Sequence, residues 1–189
     1  YGLRADGWSH PIPTASYLMY YNESIFAQSS VQTPLELLEE NAWNWTAFQK
    51  GSEAITKTNL GNIYAIAHPT VQSPDLVWAT LHAAGAVYFD QDGTCTMDND
   101  RTLTGFAALQ KYLASGVTYT LGEEIDNNAY FTATDAFCNG HTAFLVGNSS
   151  LLFDTGDTSL SATLEEDLRI IGFPSIASNA SGVAFSQSD

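Results

Sequence analysis

Carboxylates are the first groups in this sequence that could do chemistry, because a pair of them can catalyse glycoside hydrolysis. Glu123, Glu124 and Asp126 lie together in one polar stretch. Glycoside hydrolysis needs two carboxyl groups that face one bond from different positions in space, which neighbouring residues of a loop do not provide. The stretch is therefore predicted to be a solvated loop, and a glycosidase fragment is kept as the enzymatic alternative.

Metal and cofactor chemistry finds no support in the residue spacing. The four histidines are never three or four positions apart, which is the spacing of two metal ligands on one helix face: His10, His68, His82 and His141. Asp90-Gln91-Asp92-Gly93 lacks the later oxygen ligands of a calcium loop and predicts a turn. Glycine-rich phosphate loops and the GxSxG elbow are also missing from the sequence. We therefore expect no metal, no cofactor and no catalytic residue.

The two cysteines, Cys95 and Cys138, leave two interpretations open. They form no CxxC or Cys/His pattern of the kind that holds zinc. In an oxidising compartment they could pair as a disulfide. Partly buried thiols would fit the sequence equally well.

Charge excludes two classes of partner. The 189 residues contain 6 Lys+Arg and 21 Asp+Glu, a net charge of −15. Nucleic acid and anionic membrane surfaces both require clustered positive charge, so neither is expected as a partner. The acidity favours a surface kept apart by self-repulsion, with an acidic site for a cationic ligand as the alternative.

The elements that must position any site follow from the hydrophobic pattern. Short apolar runs predict strands at 18–21, 62–67, 142–146 and 168–173. Helices are predicted between them, at 23–27, from a capping box at 33–36, at 44–56, from a start at 73–75 to Gly85, after a cap at Asp98 or Asp100, and at 128–138. A hairpin is predicted around the turn at 90–93. This alternation indicates an α/β fold with a mixed sheet, helices on both faces and one inserted β-hairpin.

The aromatic residues admit both a binding and a packing role. The chain has 4 Trp, 9 Tyr and 10 Phe. Flat rings stack on sugars, but a large aromatic is more often part of a core. Trp45 lies just inside a predicted helix start and is expected to pack in the core. Trp78 lies near the start of its helix and could face either a cleft or the core.

The order of these motifs resembles family 1 extracellular solute-binding proteins, which include the maltose-binding-protein-like receptors of ABC importers. Five segments carry the resemblance: Pro11–Phe26 with its Leu18-Met19-Tyr20-Tyr21-Asn22 strand, the helix pair at 33–48 around Trp43-Asn44-Trp45, Trp78–Gly85 followed by Phe89–Gly93, Phe137–Phe144, and Leu168–Pro174. Phe144 stands where that family usually has Met. The resemblance implies a type II periplasmic-binding-protein-like lobe, with residues 1–189 as one lobe of a two-lobed receptor.

The resemblance also implies a site and partners. Ligand contacts are expected from the start of the first strand, from the loop into the Trp78 helix and from the loop after the 142–146 strand, with these candidates: Trp8, Ser16, Asp75, Trp78, Asn148 and Ser150. The ligand would be a sugar or oligosaccharide. The partner would be the membrane permease of an ABC importer, and the receptor would be a monomeric bacterial periplasmic protein or cell-surface lipoprotein. A solute-binding-like domain used for sensing or adhesion remains the alternative to transport.

Overall fold

The computed structural model describes residues 17–58, 62–70, 74–89, 92–121, 132–148, 151, 160 and 164–176. Strands and helices alternate along the chain, with a short 3₁₀ turn at Glu165–Asp167 before the last strand. In order, the elements are β1 (Leu18–Asn22), α1 (Glu23–Ser29), α2 (Pro34–Glu39), α3 (Trp45–Lys57), β2 (Tyr64–Ala67), α4 (Asp75–Ala83), α5 (Asp100–Leu113), β3 (Thr118–Tyr119), α6 (Ala133–Cys138), β4 (Thr142–Gly147) and β5 (Leu168–Gly172).

The strands form one mixed sheet in the order β3-β2-β4-β1-β5. β2 is parallel to β3 and β4, whereas β1 is antiparallel to β4 and β5, so β1 alone runs against the others. Leu18 lies opposite both Gly147 and Gly172, which places the start of β1 beside the ends of β4 and β5. We call this side of the sheet the strand-end edge. The predicted mixed α/β fold is confirmed.

Side-chain caps set most of the helix starts. At α2 the predicted capping box is present, since Thr33 N donates to Glu36 Oε2 at 2.7 Å and Glu36 N donates to Thr33 Oγ1 at 3.2 Å. The cap of α5 is Asn99 rather than Asp98 or Asp100, because its side chain accepts from Thr102 N at 3.0 Å. The described part of the last predicted helix is α6, which follows the N-cap Thr132, and residues 128–131 of that prediction lie outside the described residues.

Two hydrophobic cores occupy opposite faces of the sheet. Successive strand residues point to opposite faces, so Met19 enters the first core and Tyr20 the second. The first core is aromatic and lies under α3, α4 and α5. The second is smaller and consists mainly of four buried side chains: Tyr20, Phe137, Leu145 and Leu160. Helices therefore cover both faces, as predicted, and Trp45 is a buried first-core residue.

The predicted hairpin needs correction, and the structure favours one of the two interpretations of the cysteines. Between α4 and α5 the described residues show only a single bridge, Phe89 to Cys95, rather than two strands. Cys95 and Cys138 are not bonded to one another. The fold explains this, because Cys95 belongs to the connection between two first-core helices, whereas Cys138 packs against the second core across the sheet.

Candidate functional site

A small cleft lies at the strand-end edge, between the starts of α4 and α6. Its volume is about 80 Å³. The lining combines the ends of the parallel strands β2 and β4 with the first turns of the two helices and the chain after β4: Ile66, Ala67, Asp75, Leu76, Ala133, Thr134, Leu145, Val146, Asn148 and Leu151. Ligands of open α/β sheets bind outside the carboxyl ends of the strands, where loops and helix starts converge. This cleft is therefore the candidate site.

Asp75 supplies a carboxylate to the cleft. It is the first residue of α4 and is partly buried, and this burial raises the pKa of its carboxyl group. Among the described residues, neither of the two ion pairs involves Asp75. The carboxylate is thus an acceptor whose charge no described protein cation balances.

The start of α4 supplies donors beside that carboxylate. Its N-cap position holds Pro74, and no side chain of the described residues caps it. The backbone N–H groups of Val77 and Trp78 donate to Pro74 O at 2.9 and 3.3 Å. The N–H groups of the first helical residues, Asp75 and Leu76, have no acceptor inside the helix. A helix start of this kind can donate hydrogen bonds to a ligand oxygen.

Asn148 is held in the cleft through its backbone. The Tyr20 hydroxyl donates to Asn148 O at 2.9 Å, and Leu151 N donates to the same oxygen at 3.3 Å. Burial raises the pKa of Tyr20 to about 12, so the hydroxyl keeps the proton that it donates. Tyr20 therefore fixes the backbone of Asn148, the residue directly after β4.

An aromatic cluster lies next to Asp75 on the same side of α4. Asp75, Trp78 and His82 share one helix face at i, i+3 and i+7. Ring centroids link Tyr17 to His82 at 5.8 Å, His82 to Tyr88 at 5.5 Å and Tyr88 to Trp78 at 5.9 Å. Burial, and secondly the charge of Asp75, raise the pKa of Tyr17.

The predicted site residues fall into three groups. Asp75 and Asn148 line the same cleft, which brings together two residues 73 positions apart in sequence order. Trp78 is 38% exposed and belongs to the neighbouring aromatic cluster rather than to the cleft lining. Trp8, Ser16 and Ser150 lie outside the described residues, as do Glu123, Glu124 and Asp126.

Sequence reasoning missed Thr134, Leu151 and the positioning residue Tyr20. A signal for Thr134 was available: Thr132 and Asp135 form a capping box that marks the start of α6, with Thr132 N donating to Asp135 Oδ2 at 2.7 Å. The contact between Tyr20 and Asn148 joins distant parts of the chain and has no local sequence signal.

A second, larger cavity of about 660 Å³ lies away from the strands. Its described lining comes from α2, α3 and the connections that follow α1 and α2, including Val31, Leu37, Ala47 and Lys50. Neither a strand end nor an uncapped helix start contributes to it, so we do not assign the ligand site there. Among the described residues no group of His, Cys, Asp and Glu side chains is arranged to hold a metal ion.

Comparison with solved structures identifies the fold. The GacH receptor of Streptomyces glaucescens GLA.O is 16% identical with a TM-score of 0.61, over 91% of this chain and 41% of the receptor. UgpB from Mycobacterium tuberculosis is 16% identical with a TM-score of 0.61, over 90% of this chain and 39% of UgpB. The cyclic alpha-maltosyl-1,6-maltose binding protein of Arthrobacter globiformis is 13% identical with a TM-score of 0.59, over 93% and 42%.

The chain thus spans about two fifths of the length of these structures, at 39–42% of each. No curated protein sequence matches it. In the described part of the chain, no helix has the length and apolar character needed to cross a membrane. The family described as bacterial extracellular solute-binding protein matches residues 1–187. On that match, the chain belongs to the bacterial extracellular solute-binding proteins.

Proposed function

We propose that this chain is one lobe of a receptor that captures a sugar outside the cell and delivers it to the permease of an ABC importer. The observation that carries the proposal is the strand-end cleft, where the uncapped start of α4 meets the Asp75 carboxylate. Solute capture needs no catalytic group. It needs a rigid surface with a few polar groups in fixed positions.

Hydroxyl groups suit this arrangement because each can both donate and accept a hydrogen bond. The N–H groups at the start of α4 can donate to a ligand hydroxyl, and the Asp75 carboxylate can accept from the same or the next one. Thr134 adds a protein hydroxyl to the lining. The exposed ring of Trp78, one helical turn beyond Asp75, is a surface on which the C–H face of a sugar can rest.

The solved relatives are consistent with a hydroxylated ligand. The protein from Agrobacterium vitis S4 carries bound D-mannitol, and the one from Arthrobacter chlorophenolicus A6 carries laminaribiose. UgpB was solved with glycerophosphocholine, which also bears hydroxyl groups beside its charged ones. These ligands belong to those proteins. For this chain they support a polyhydroxylated ligand class.

The proposal includes a second lobe that closes over the ligand. Closure of two lobes excludes water and completes the set of contacts. The net charge of −15 opposes self-association, so we propose a monomeric receptor. We also propose that it is located in the periplasm or anchored at the cell surface. The 189-residue chain alone should bind sugar weakly, and equal affinity of this chain and the full-length protein would contradict a site between two lobes.

The test is a thermal-shift and calorimetry screen of the full-length protein with D-glucose, D-mannitol, maltose, laminaribiose, amino acids and polyamines. A ligand at 100 times its Kd stabilises the folded state by about 2.7 kcal/mol. Asp75→Ala should weaken the binding of the best sugar at least about tenfold, since a hydrogen bond to a charged group contributes roughly 1.5–3 kcal/mol. Asp98→Ala, at an exposed carboxylate outside the cleft lining, is the control.

Two results would contradict the sugar assignment. One is a shift with amino acids or polyamines and none with any sugar. The other is equal loss of sugar affinity in Asp75→Ala and Asp98→Ala. Uptake of the labelled sugar by cells with and without the protein then distinguishes import from sensing.

A further inference from the structure

The end of β4 carries a contact that the proposed capture role does not explain. A Cβ atom placed on Gly147 would lie 2.3 Å from Leu151 Cδ1, far closer than real carbon atoms approach. The side chain of Leu151 therefore occupies the space that any other residue at position 147 would fill. Glycine at the end of a strand commonly marks such a close approach.

Leu151 is held in this position from two sides. Its backbone N–H donates to Asn148 O, and the same oxygen accepts from the hydroxyl of Tyr20, whose side chain is fully buried. The Leu151 side chain packs against the second core. Two hydrogen bonds to one carbonyl and an apolar contact beneath make it a fixed part of the cleft wall.

The consequence is a small cleft. Leu151 lines it together with Ile66, Leu145 and Val146, and the remaining volume is about 80 Å³. Pockets for small molecules typically measure roughly 300–1,000 Å³. The cleft is therefore several times smaller than a typical ligand pocket.

We propose that Leu151, seated on Gly147, is a specificity-determining residue that limits the ligand to a single sugar ring or a short polyol. This inference rests on the proposed function and names the ligand class within it. A second sugar ring at the end of β4 would need the space over Gly147 that the Leu151 side chain already fills. The resemblance of the sequence to oligosaccharide receptors implies larger ligands, whereas the small cleft predicts a single ring or a short polyol.

The experiment is isothermal titration of the full-length protein with the glucose series (D-glucose, maltose and maltotriose) and with D-mannitol. The wild-type protein should bind D-glucose or D-mannitol more tightly than maltose or maltotriose. Leu151→Ala should raise the affinity for maltose relative to D-glucose at least about tenfold, the scale on which apolar pockets discriminate by methylene groups. The control is Leu164→Ala, because Leu164 also packs against the second core but does not line the cleft. Its affinity ratio should stay at the wild-type value.

Gly147→Ala keeps the test decisive if Leu151→Ala folds poorly. The added methyl group must displace the Leu151 side chain, so this substitution should also change the maltose-to-glucose ratio, and it should have no further effect in the Leu151→Ala background. An unchanged ratio in both variants, or tighter wild-type binding of maltotriose than of glucose, overturns the inference alone. Failure of every sugar and polyol to bind the wild-type protein overturns the proposed function and the inference with it.

Discussion

The first core and the strand-end cleft are built from opposite kinds of residue. Phe48 is fully buried, and its ring centroid lies within 6.3 Å of those of Trp43, Trp45, Tyr112, Phe144 and Phe173. Among the described residues, the cleft lining contains no aromatic side chain and combines the Asp75 carboxylate and the start of α4 with Asn148 and Leu151. Aromatic richness, which suggests sugar stacking in a sequence, here mainly gives the fold a rigid interior.

The comparison predicts that large stability effects and large binding effects come from different residues. A core substitution changes the free energy of unfolding of the whole chain. A cleft substitution changes ligand affinity while leaving most of that free energy in place, because few buried contacts depend on it. Four substitutions test whether stability and ligand affinity depend on different residues.

Phe48→Ala should have the largest effect on stability. Removing a fully buried Phe typically costs about 3–5 kcal/mol, and Phe48 contacts more rings than any described neighbour. Urea unfolding should show this loss, whereas Phe106→Ala, at a Phe that is 41% exposed, should cost far less. Equal losses would mean that the first core does not carry the stability of the chain.

Gly105→Ala should be the next most destabilising change. A Cβ atom at position 105 would lie 3.0 Å from Leu81 Cδ2, 3.1 Å from Ala84 Cβ and 3.3 Å from Leu81 Cα, so α4 and α5 would have to separate. Overpacking of this kind typically costs about 1–3 kcal/mol.

Gly51 provides the matched control for that substitution. It also lies inside a helix, but its nearest neighbour to an added Cβ atom is Val31 Cγ1 at 4.0 Å. Gly51→Ala should therefore stabilise the protein by roughly 0.5–1 kcal/mol, the helix-propensity difference between the two residues. If both alanine variants change the midpoint of thermal unfolding in the same direction, the close packing of α4 on α5 is not what requires glycine at 105.

More of the fold than of the candidate site could be predicted from the sequence. The strands at 18–22 and 142–147 are continuous apolar runs, and Thr33 with Glu36 is a local capping signal, so each was visible in a short window. β3 was missed because two residues, Thr118 and Tyr119, are too few to show a pattern. Among the described residues the predicted hairpin reduces to one bridge, because an Asp-Gly turn sets the reversal of the chain but not the length of strand pairing beside it.

Site geometry depends on contacts that no short window contains. Asp75 and Asn148 were predicted from the resemblance, and the structure brings both to one cleft. Tyr20 looked like an ordinary strand residue, yet its hydroxyl reaches a carbonyl 128 positions away. Leu151 could not be predicted at all, since its role depends on lying over Gly147.

Tyr20→Phe should lower both stability and ligand affinity by small amounts, because Tyr20 packs in the second core and also bonds Asn148 in the cleft. The ring stays buried in the second core, but the hydrogen bond to Asn148 O is lost. A hydrogen bond of this kind contributes about 0.5–1.5 kcal/mol, so stability should fall by that order. The affinity for the best sugar should fall as well, because Asn148, which lines the cleft, loses its hydrogen bond to Tyr20. Unchanged affinity together with reduced stability would show that this attachment serves the core alone.

Asp75→Asn should have the smallest effect on stability, and that effect should be a gain rather than a loss. Burial raises the pKa of Asp75 in the folded state above its value in the unfolded chain. The folded state therefore holds the proton more tightly, and stability is lost as the pH rises through the folded-state pKa. Asparagine removes that loss, so the variant should unfold at a slightly higher temperature than the wild type at pH 7 and at the same temperature at pH 3. Its sugar affinity should nevertheless fall, since asparagine cannot replace a charged acceptor.

Glu36→Gln is the control of opposite sign. The hydrogen bonds from the backbone and side chain of Thr33 lower the pKa of Glu36. The stability that Glu36 contributes is therefore present above its unfolded-state pKa and is lost as the pH falls. That variant should be less stable than the wild type at pH 7 and should keep full sugar affinity, because Glu36 lies outside the cleft lining. If Asp75→Asn lowers stability at pH 7 as Glu36→Gln does, Asp75 serves mainly to stabilise the start of α4, and the carboxylate is not held there for a ligand.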